Sequence, residues 1–262
     1  MSKNGLDKQG IRRSFARAAE GYDDLAGLQR QVGISLLQRF PLLYTCAPVV
    51  DLGCGTGFLS RQLSVCIPDG WLLAIDIAMP MLQHAKRKAA GNGMVYCCGD
   101  AERLPLRDAS VEQVYSNLAL QWLLDADSAF TDIKRVLQPG GKLVFSTFGP
   151  ETLSELKTAW ASVDGSVHVN RFFTVEEIRE LLLAAGFRAV VIESELYRSR
   201  YPSVQALMKE LKGIGAHNVN LGRKRKPTTK SELRRMIENY PLQTPDGSVP
   251  ATYQALYVRA EA

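Results

Sequence analysis

The residues best placed to do chemistry form the run Val49-Val-Asp-Leu-Gly-Cys-Gly-Thr-Gly57. An apolar stretch ends in Asp51 and passes into three glycines at alternate positions, Gly53, Gly55 and Gly57. Lacking a Cβ, glycine lets the backbone turn tightly and lets a ligand lie against it. Two common nucleotide sites do not fit the spacing. A dinucleotide fingerprint needs a third glycine where the chain has Phe58, and no lysine follows as a phosphate-cradling loop requires. Further along, Asp76 closes the next apolar run, where a carboxylate can accept hydrogen bonds from both ribose hydroxyls. Asp100 closes the third run, placed for an adenine amino group, and Asn117 closes the fourth. Ile77 and Ala101 follow the two acids and belong to the same cofactor wall. Cys54 reads as a small residue tolerated in the loop rather than a nucleophile.

These residues need strands that end side by side. Strands are predicted over 49–52, 71–75, 94–98, 111–116 and 142–147, the last fed by a turn at Pro139-Gly140-Gly141. Helices over 58–65, 79–88 and 127–136 alternate with them, which implies right-handed βαβ units and a parallel sheet. Ahead of them, Ile11, Phe15, Ala18, Leu25, Leu28, Val32 and Leu36 recur at helical spacing with a break near Gly21, so two helices are expected. Behind them come helices over 151–163 and 174–185, the second opened by a Thr174…Glu177 capping box and closed by Gly186. A strand over 189–195, helices over 203–214 and 229–239 and a strand over 252–259 finish the chain. The expected fold is α/β: a seven-stranded, mostly parallel Rossmann-like sheet with helices on both faces, closed by an antiparallel hairpin. One domain spans 1–262, with a helical cap at 1–45, a cofactor core at 46–148 and a lid region with closing strands at 149–262.

Composition suits that reading. A 262-residue chain that is 46% apolar can fill one large core. No apolar run approaches the ~20 residues of a membrane helix. The first residues form no hydrophobic leader, and Asp7, Glu20, Asp23 and Asp24 are unlike a transit peptide. Five cysteines follow no metal-ligand spacing, and the adjacent Cys97 and Cys98 of a strand point to opposite faces. Reduced thiols, no metal and a cytoplasmic location are expected. The net charge of +5 is clustered, which suits an acidic or polyanionic partner.

Asp51-Leu-Gly-Cys-Gly-Thr-Gly57, Asp76, Gly99-Asp100-Ala-Glu-x-Leu-Pro105 and Leu137-Gln-Pro-Gly-Gly141 resemble the motif series of class I S-adenosylmethionine-dependent methyltransferases. Further segments are more discriminating: Phe15-Ala-Arg-Ala-Ala-x-x-Tyr22, Leu28-Gln-Arg30, Ser116-Asn-Leu-Ala-x-Gln-Trp122, Asn170-Arg-Phe172 and Leu211-Lys-Gly-Ile-Gly-Ala216. They resemble the malonyl-[acyl-carrier protein] O-methyltransferase family of biotin synthesis over nearly the whole chain. The resemblance implies S-adenosylmethionine as cofactor and a malonyl thioester as acceptor, borne by an acidic acyl-carrier protein or by coenzyme A. It also implies that esterification masks a charge too costly to bury in fatty-acid-synthesis tunnels.

Methyl transfer from a sulfonium is an in-line displacement in which the protein aligns the acceptor and excludes water. A carboxylate, with a reference pKa of roughly 4, is already ionised at neutral pH and needs no general base. The three histidines, His84, His168 and His217, form no triad-like pattern, and no acid or base is expected; His168 and His217, in lid segments, are the ones placed to touch substrate. Asn117-Leu-Ala-Leu-Gln-Trp122 lacks the prolines and tyrosine of amide- and base-methylating sites, and there is no Pro-Cys pair of the cytosine type. No nucleic-acid partner is therefore expected. Within the resemblance, Arg171 is the candidate to position the acceptor carboxylate. Tyr22, Gln29 and Trp122 would shape the lid over cofactor or thioester, or equally serve as core and capping groups. Arg198, Arg200, Lys209, Lys212 and the run Arg223, Lys224, Arg225 and Lys226 supply the basic surface for a carrier, or a solvated face. Two other readings stay open: a methyltransferase of quinones or other acids, and an S-adenosylmethionine- or RNA-binding regulator.

Overall fold

Apolar runs of four or five residues, too short for buried helices, form the centre of one sheet. The computed structural model describes residues 6–67, 70–89, 93–216, 228–241 and 248–262. The strands are β1 (Val49–Leu52), β2 (Leu72–Asp76), β3 (Met94–Cys98), β4 (Val111–Asn117), β5 (Leu137–Phe148), β6 (Arg188–Tyr201) and β7 (Val249–Glu261). Their order across the sheet is β3-β2-β1-β4-β5-β7-β6. The first five pair in parallel, and β7 runs antiparallel to both β5 and β6. The expected seven-stranded fold with its closing hairpin is the one found.

Strand alternation decides which helices cover which face. Val50, Leu52, Leu73, Ile75, Val114, Leu143 and Phe145 point to one side, where α6 (Ala126–Val136) and α8 (Val175–Ala184) bury Phe130, Ile133, Ile178 and Leu182 against them. Val49, Leu72, Tyr115, Val144 and Tyr257 point to the other, under Val32 and Leu36 of α3 (Gly27–Arg39) and Leu59 and Leu63 of α4 (Phe58–Ser64). On that side α5 (Met79–Lys88) lays Leu82 on Ala74. A third cluster joins α7 (Ser154–Ala161), α9 (Val204–Gly213) and α10 (Lys230–Glu238) to the projecting ends of β6 and β7 through Trp160, Leu207, Met236, Tyr201 and Tyr253.

Three elements differ from expectation. The N-terminal segment holds three helices rather than two, because a single turn, α2 (Tyr22–Leu25), stands between α1 (Lys8–Ala18) and α3. The turn expected at Pro139-Gly140-Gly141 lies inside β5: a register shift carries pairing from Val111↔Leu137 to Gln113↔Lys142, and Gly140 absorbs it at φ +77°. β6 extends to Tyr201, and its last residues, Arg198, Ser199 and Arg200, read as loop because an edge strand with one open face tolerates charge. Among the described residues, no helix is long and apolar enough to cross a membrane.

Ile133 is fully buried in α6 between sheet and α8. Ile133→Ala should lower the unfolding free energy by about 2–5 kcal/mol, read as a drop in denaturant midpoint. An unchanged midpoint would contradict this packing.

Candidate active site

The carboxyl ends of β1 to β4 open into a cleft of about 810 Å³. Gly53, Gly55, Asp76, Ile77, Asp100, Ala101 and Asn117 line it, with Tyr22 and Trp122 from the cap and the loop after β4. Each glycine of the loop has its own reason. Gly53 has φ +73°, and a Cβ there would fall 2.2 Å from that of Ala119. Gly55 has φ +54° with open space above it, as a ligand pressed on the backbone requires. Gly57 (φ +80°) lines neither this cleft nor its neighbours; its Cβ would meet that of Ala85 at 2.9 Å. The expected cofactor role of Gly57 is therefore corrected to close packing of the loop on α5.

Asp76 Oδ2 accepts the Gly55 amide at 2.9 Å, and its Oδ1 accepts that of Ala78 at 2.8 Å. Burial pushes its pKa up to about 6, against the pull of these amides. Asp51 is 1% exposed, and burial, aided by the charge of Asp76, pushes it up to about 7 despite the hydroxyl of Ser60 at 2.5 Å. Asp51 Oδ1 has no hydrogen-bond partner among the described residues. Asp51 lines a smaller cavity that shares Tyr22, Gly53, Gly55 and Asn117 with the cleft and is lined also by Gln29 and Arg30. Gln29 Oε1 is a second buried acceptor without a partner. Burial pushes the hydroxyl of Tyr22 and the thiol of Cys54 upwards, leaving both neutral. Asp100 accepts Lys8 Nζ of α1 at 2.6 Å and the Glu102 amide at 3.0 Å.

A second cavity, about 680 Å³, adjoins these through Gln29 and Trp122. Its lining is mostly apolar, including Phe148, Leu156, Phe172 and Leu211, with Gln29, Gln121, Thr152, His168, Asn170, Glu210 and Tyr253 as its polar-group members.

A methyltransferase-domain family model matches residues 50–145. A malonyl-[acyl-carrier protein] O-methyltransferase of Gallionella capsiferriformans is 39% identical over 99% of this chain and 92% of its own. The chain belongs to the malonyl-[acyl-carrier protein] O-methyltransferase family. The biotin biosynthesis bifunctional protein BioHC of Cellvibrio japonicus is 36% identical over 97% of this chain and 50% of its own. An S-adenosylmethionine-dependent methyltransferase from Mesorhizobium loti shares the fold at TM-score 0.55, with 22% identity over 91% of this chain and all of its own.

The cleft fits S-adenosylmethionine, the cofactor in the name of that Mesorhizobium loti methyltransferase. The paired acceptors of Asp76 suit ribose hydroxyls, and the orphaned Asp51 Oδ1 suits an ammonium group. Arg30, held by a bond to the Asp23 carbonyl at 2.6 Å, suits the amino-acid carboxylate. Neither Arg30 nor Lys8 was singled out from sequence. A signal for Arg30 exists: Gly33, one turn along the same helix, would bring a Cβ within 3.2 Å of Asn117, so this face of α3 lies against the site.

Arg171 is corrected. It is 69% exposed, pairs with Glu177 of α8 and lies over the Phe173 ring at 5.9 Å, outside the acceptor cavity. A local acid at the start of α8 captures it, which places it away from that cavity. Lys209 and Lys212 are exposed on α9, and Arg198 and Arg200 on β6. Arg223, Lys224, Arg225, Lys226 and His217 lie outside the described residues.

The buried carboxyls make a pH prediction with a definite sign. Below roughly pH 4 the unfolded carboxyl is protonated too and nothing is lost; as pH rises through about 7 the folded chain loses stability, because the unfolded state ionises freely. Asp51→Asn without cofactor should therefore melt above wild type at pH 8, by at least roughly 2–4 °C, with the gap narrowing towards pH 4. The same variant should bind S-adenosylmethionine at least about tenfold more weakly. A pH-independent gap, or undiminished binding, would contradict the assignment.

Proposed function

We propose that this enzyme transfers a methyl group to the free carboxylate of a malonyl thioester on an acyl-carrier protein, giving the methyl ester early in biotin synthesis. The observation that carries this is the acceptor cavity itself: mostly apolar, sharing Trp122 with the cofactor cleft, and with no serine, cysteine or lysine among its described lining residues. The names of its relatives agree.

When bound, S-adenosylmethionine supplies an electrophilic methyl on a sulfonium. That methyl would pass to an acceptor carboxylate oxygen, with the electron pair of the carbon–sulfur bond left on sulfur. No proton moves, so the protein's work is to align and to exclude water. Trp122, edge-on to Phe15 of α1 with ring centres 5.4 Å apart, walls both cavities. Gln121 is fixed by its bond to the Leu118 carbonyl at 2.7 Å and shapes the acceptor floor.

The carrier is proposed to dock over α9. Leu211 and Ile214 line the acceptor cavity from this segment, while Lys209 and Lys212 face outward. An acidic carrier would meet them through long-range, salt-sensitive attraction. We read the whole chain as one catalytic unit working in the cytoplasm; its five free cysteines suit a reducing compartment.

Incubation with labelled S-adenosylmethionine should place base-labile methyl ester on malonyl-carrier and malonyl-coenzyme A but not on acetyl-carrier. Cofactor binding with no labelled malonyl product would overturn the acceptor assignment. Replacing Lys209 and Lys212 together by Glu should raise KM for malonyl-carrier by about tenfold at low salt and leave that for malonyl-coenzyme A within about twofold. Equal effects on both acceptors would remove α9 from the docking surface.

A further inference from the structure

A carboxylate entering an apolar cavity needs a countercharge, because burying it unpaired is prohibitive. With Arg171 turned outward, the acceptor cavity has no lysine or arginine in its described lining. Lys157 comes near but does not line it: its Nζ donates to the Pro150 carbonyl at 2.8 Å and lies 5.3 Å from the Phe172 ring centre. Glu210, bonded by the Tyr201 hydroxyl at 2.6 Å, carries the wrong sign. Among the described lining residues, one side chain can become a cation, and that is His168.

His168 is also held more firmly than a surface histidine would be. Its ring stacks on Trp160 at 3.8 Å between centres and 5° between planes, within the cluster that joins α7 and α9 to the sheet. Its Nε2 is 2.8 Å from Asp164 Oδ1. A carboxylate can only accept, so Nε2 carries a proton and the ring's orientation and tautomer are set. Nδ1 is left without a hydrogen-bond partner among the described residues.

We propose that His168 is the positioning residue for the acceptor's free carboxylate. Protonated at Nδ1 when that group arrives, its imidazolium lies between two carboxylates, that of Asp164 and that of the substrate. One substrate oxygen accepts the Nδ1 proton and the other stays free to attack the methyl carbon. The proton comes from solvent with binding and remains on the imidazole, so the methyl transfer balances as before. Stacking on Trp160 and the bond to Asp164 fix the ring before substrate enters, which lowers the ordering cost of binding.

This assignment rests on the carboxylate reading of the acceptor, and the test separates the two. Malonyl- and acetyl-carrier are titrated into the protein with S-adenosylhomocysteine bound, so that no turnover occurs. Wild type should bind malonyl-carrier at least about tenfold more tightly than acetyl-carrier, the worth of a hydrogen bond to a charged group. His168→Phe keeps a ring to stack on Trp160 and removes both nitrogens. It should bring that ratio close to one while leaving S-adenosylhomocysteine affinity unchanged. Should His168→Phe fold poorly, seen as lost S-adenosylhomocysteine binding, His168→Gln carries the same expectation. A variant that keeps the wild-type ratio, or weakens both carriers equally, overturns the positioning role, since a purely structural defect would not discriminate between them. A wild-type protein that binds both carriers alike overturns the carboxylate reading, and this assignment with it.

Discussion

Asp76 takes hydrogen bonds from Gly55 and Ala78 while Asp51, one strand over, takes one from Ser60 and leaves its other oxygen bare. Both carboxyls are out of water, and both are pushed above the ordinary carboxylate range by burial. That arrangement is costly for the protein alone. Hydroxyls and a cation placed above the glycine loop would offset that cost, which is how a site can select its ligand in advance. The rest follows from keeping two acids at adjacent strand ends. The sheet must be parallel there, the loop after β1 must lie flat enough that Gly53 touches Ala119, and α5 must approach until Gly57 meets Ala85.

The helical cap is tied to this centre by polar bonds as well as by the apolar packing of α3 on the sheet. Lys8 bridges Asp100 and Glu102, Asp23 meets both Thr56 and Lys88, and the Asn117 side chain donates to the Gln29 carbonyl at 2.9 Å. Burial works against the charge of Asp23, yet Lys88 and Thr56 hold its pKa below the usual value. Such ties fix α1 to α3 over the cofactor while leaving the seam between Gln29 and Trp122, where cofactor and acceptor cavities meet. Methyl transfer to an acceptor that is already ionised asks for little more than this seam.

Much of this was legible in the sequence because it is local. Strand, acid and glycine stand within nine residues from Val49 to Gly57, and Asp76, Asp100 and Asn117 each follow an apolar run, so strand ends and cofactor contacts could be read together. The capping box of Thr174 and Glu177 was equally local and forms as read. What was not legible depends on direction or distance. Arg171 has the right type for a carboxylate, but Glu177, six residues on, captures it. Gly57 belongs to the glycine motif, yet its constraint comes from Ala85, far along the chain. Lys8 reaches acids more than ninety residues away, a pairing no periodicity encodes. His168 stood among the candidates, but the stack on Trp160 and the bond to Asp164 that give it a defined role emerge only when α7 and its following loop fold back.

The cofactor cleft is built around two carboxyls whose pKa values burial raises, to about 6 at Asp76 and about 7 at Asp51. The most direct test is calorimetric titration of S-adenosylmethionine near pH 6.5, between the values of Asp76 and Asp51, in buffers of different ionisation enthalpy. The apparent binding enthalpy should vary with the buffer in the sense of proton release, approaching about one proton per site, and the dependence should shrink in Asp51→Asn to the small remainder that Asp76 supplies. Binding that releases no protons at this pH would mean that the carboxyls are already ionised in the free enzyme, and burial would then not be what sets the charge of the cleft.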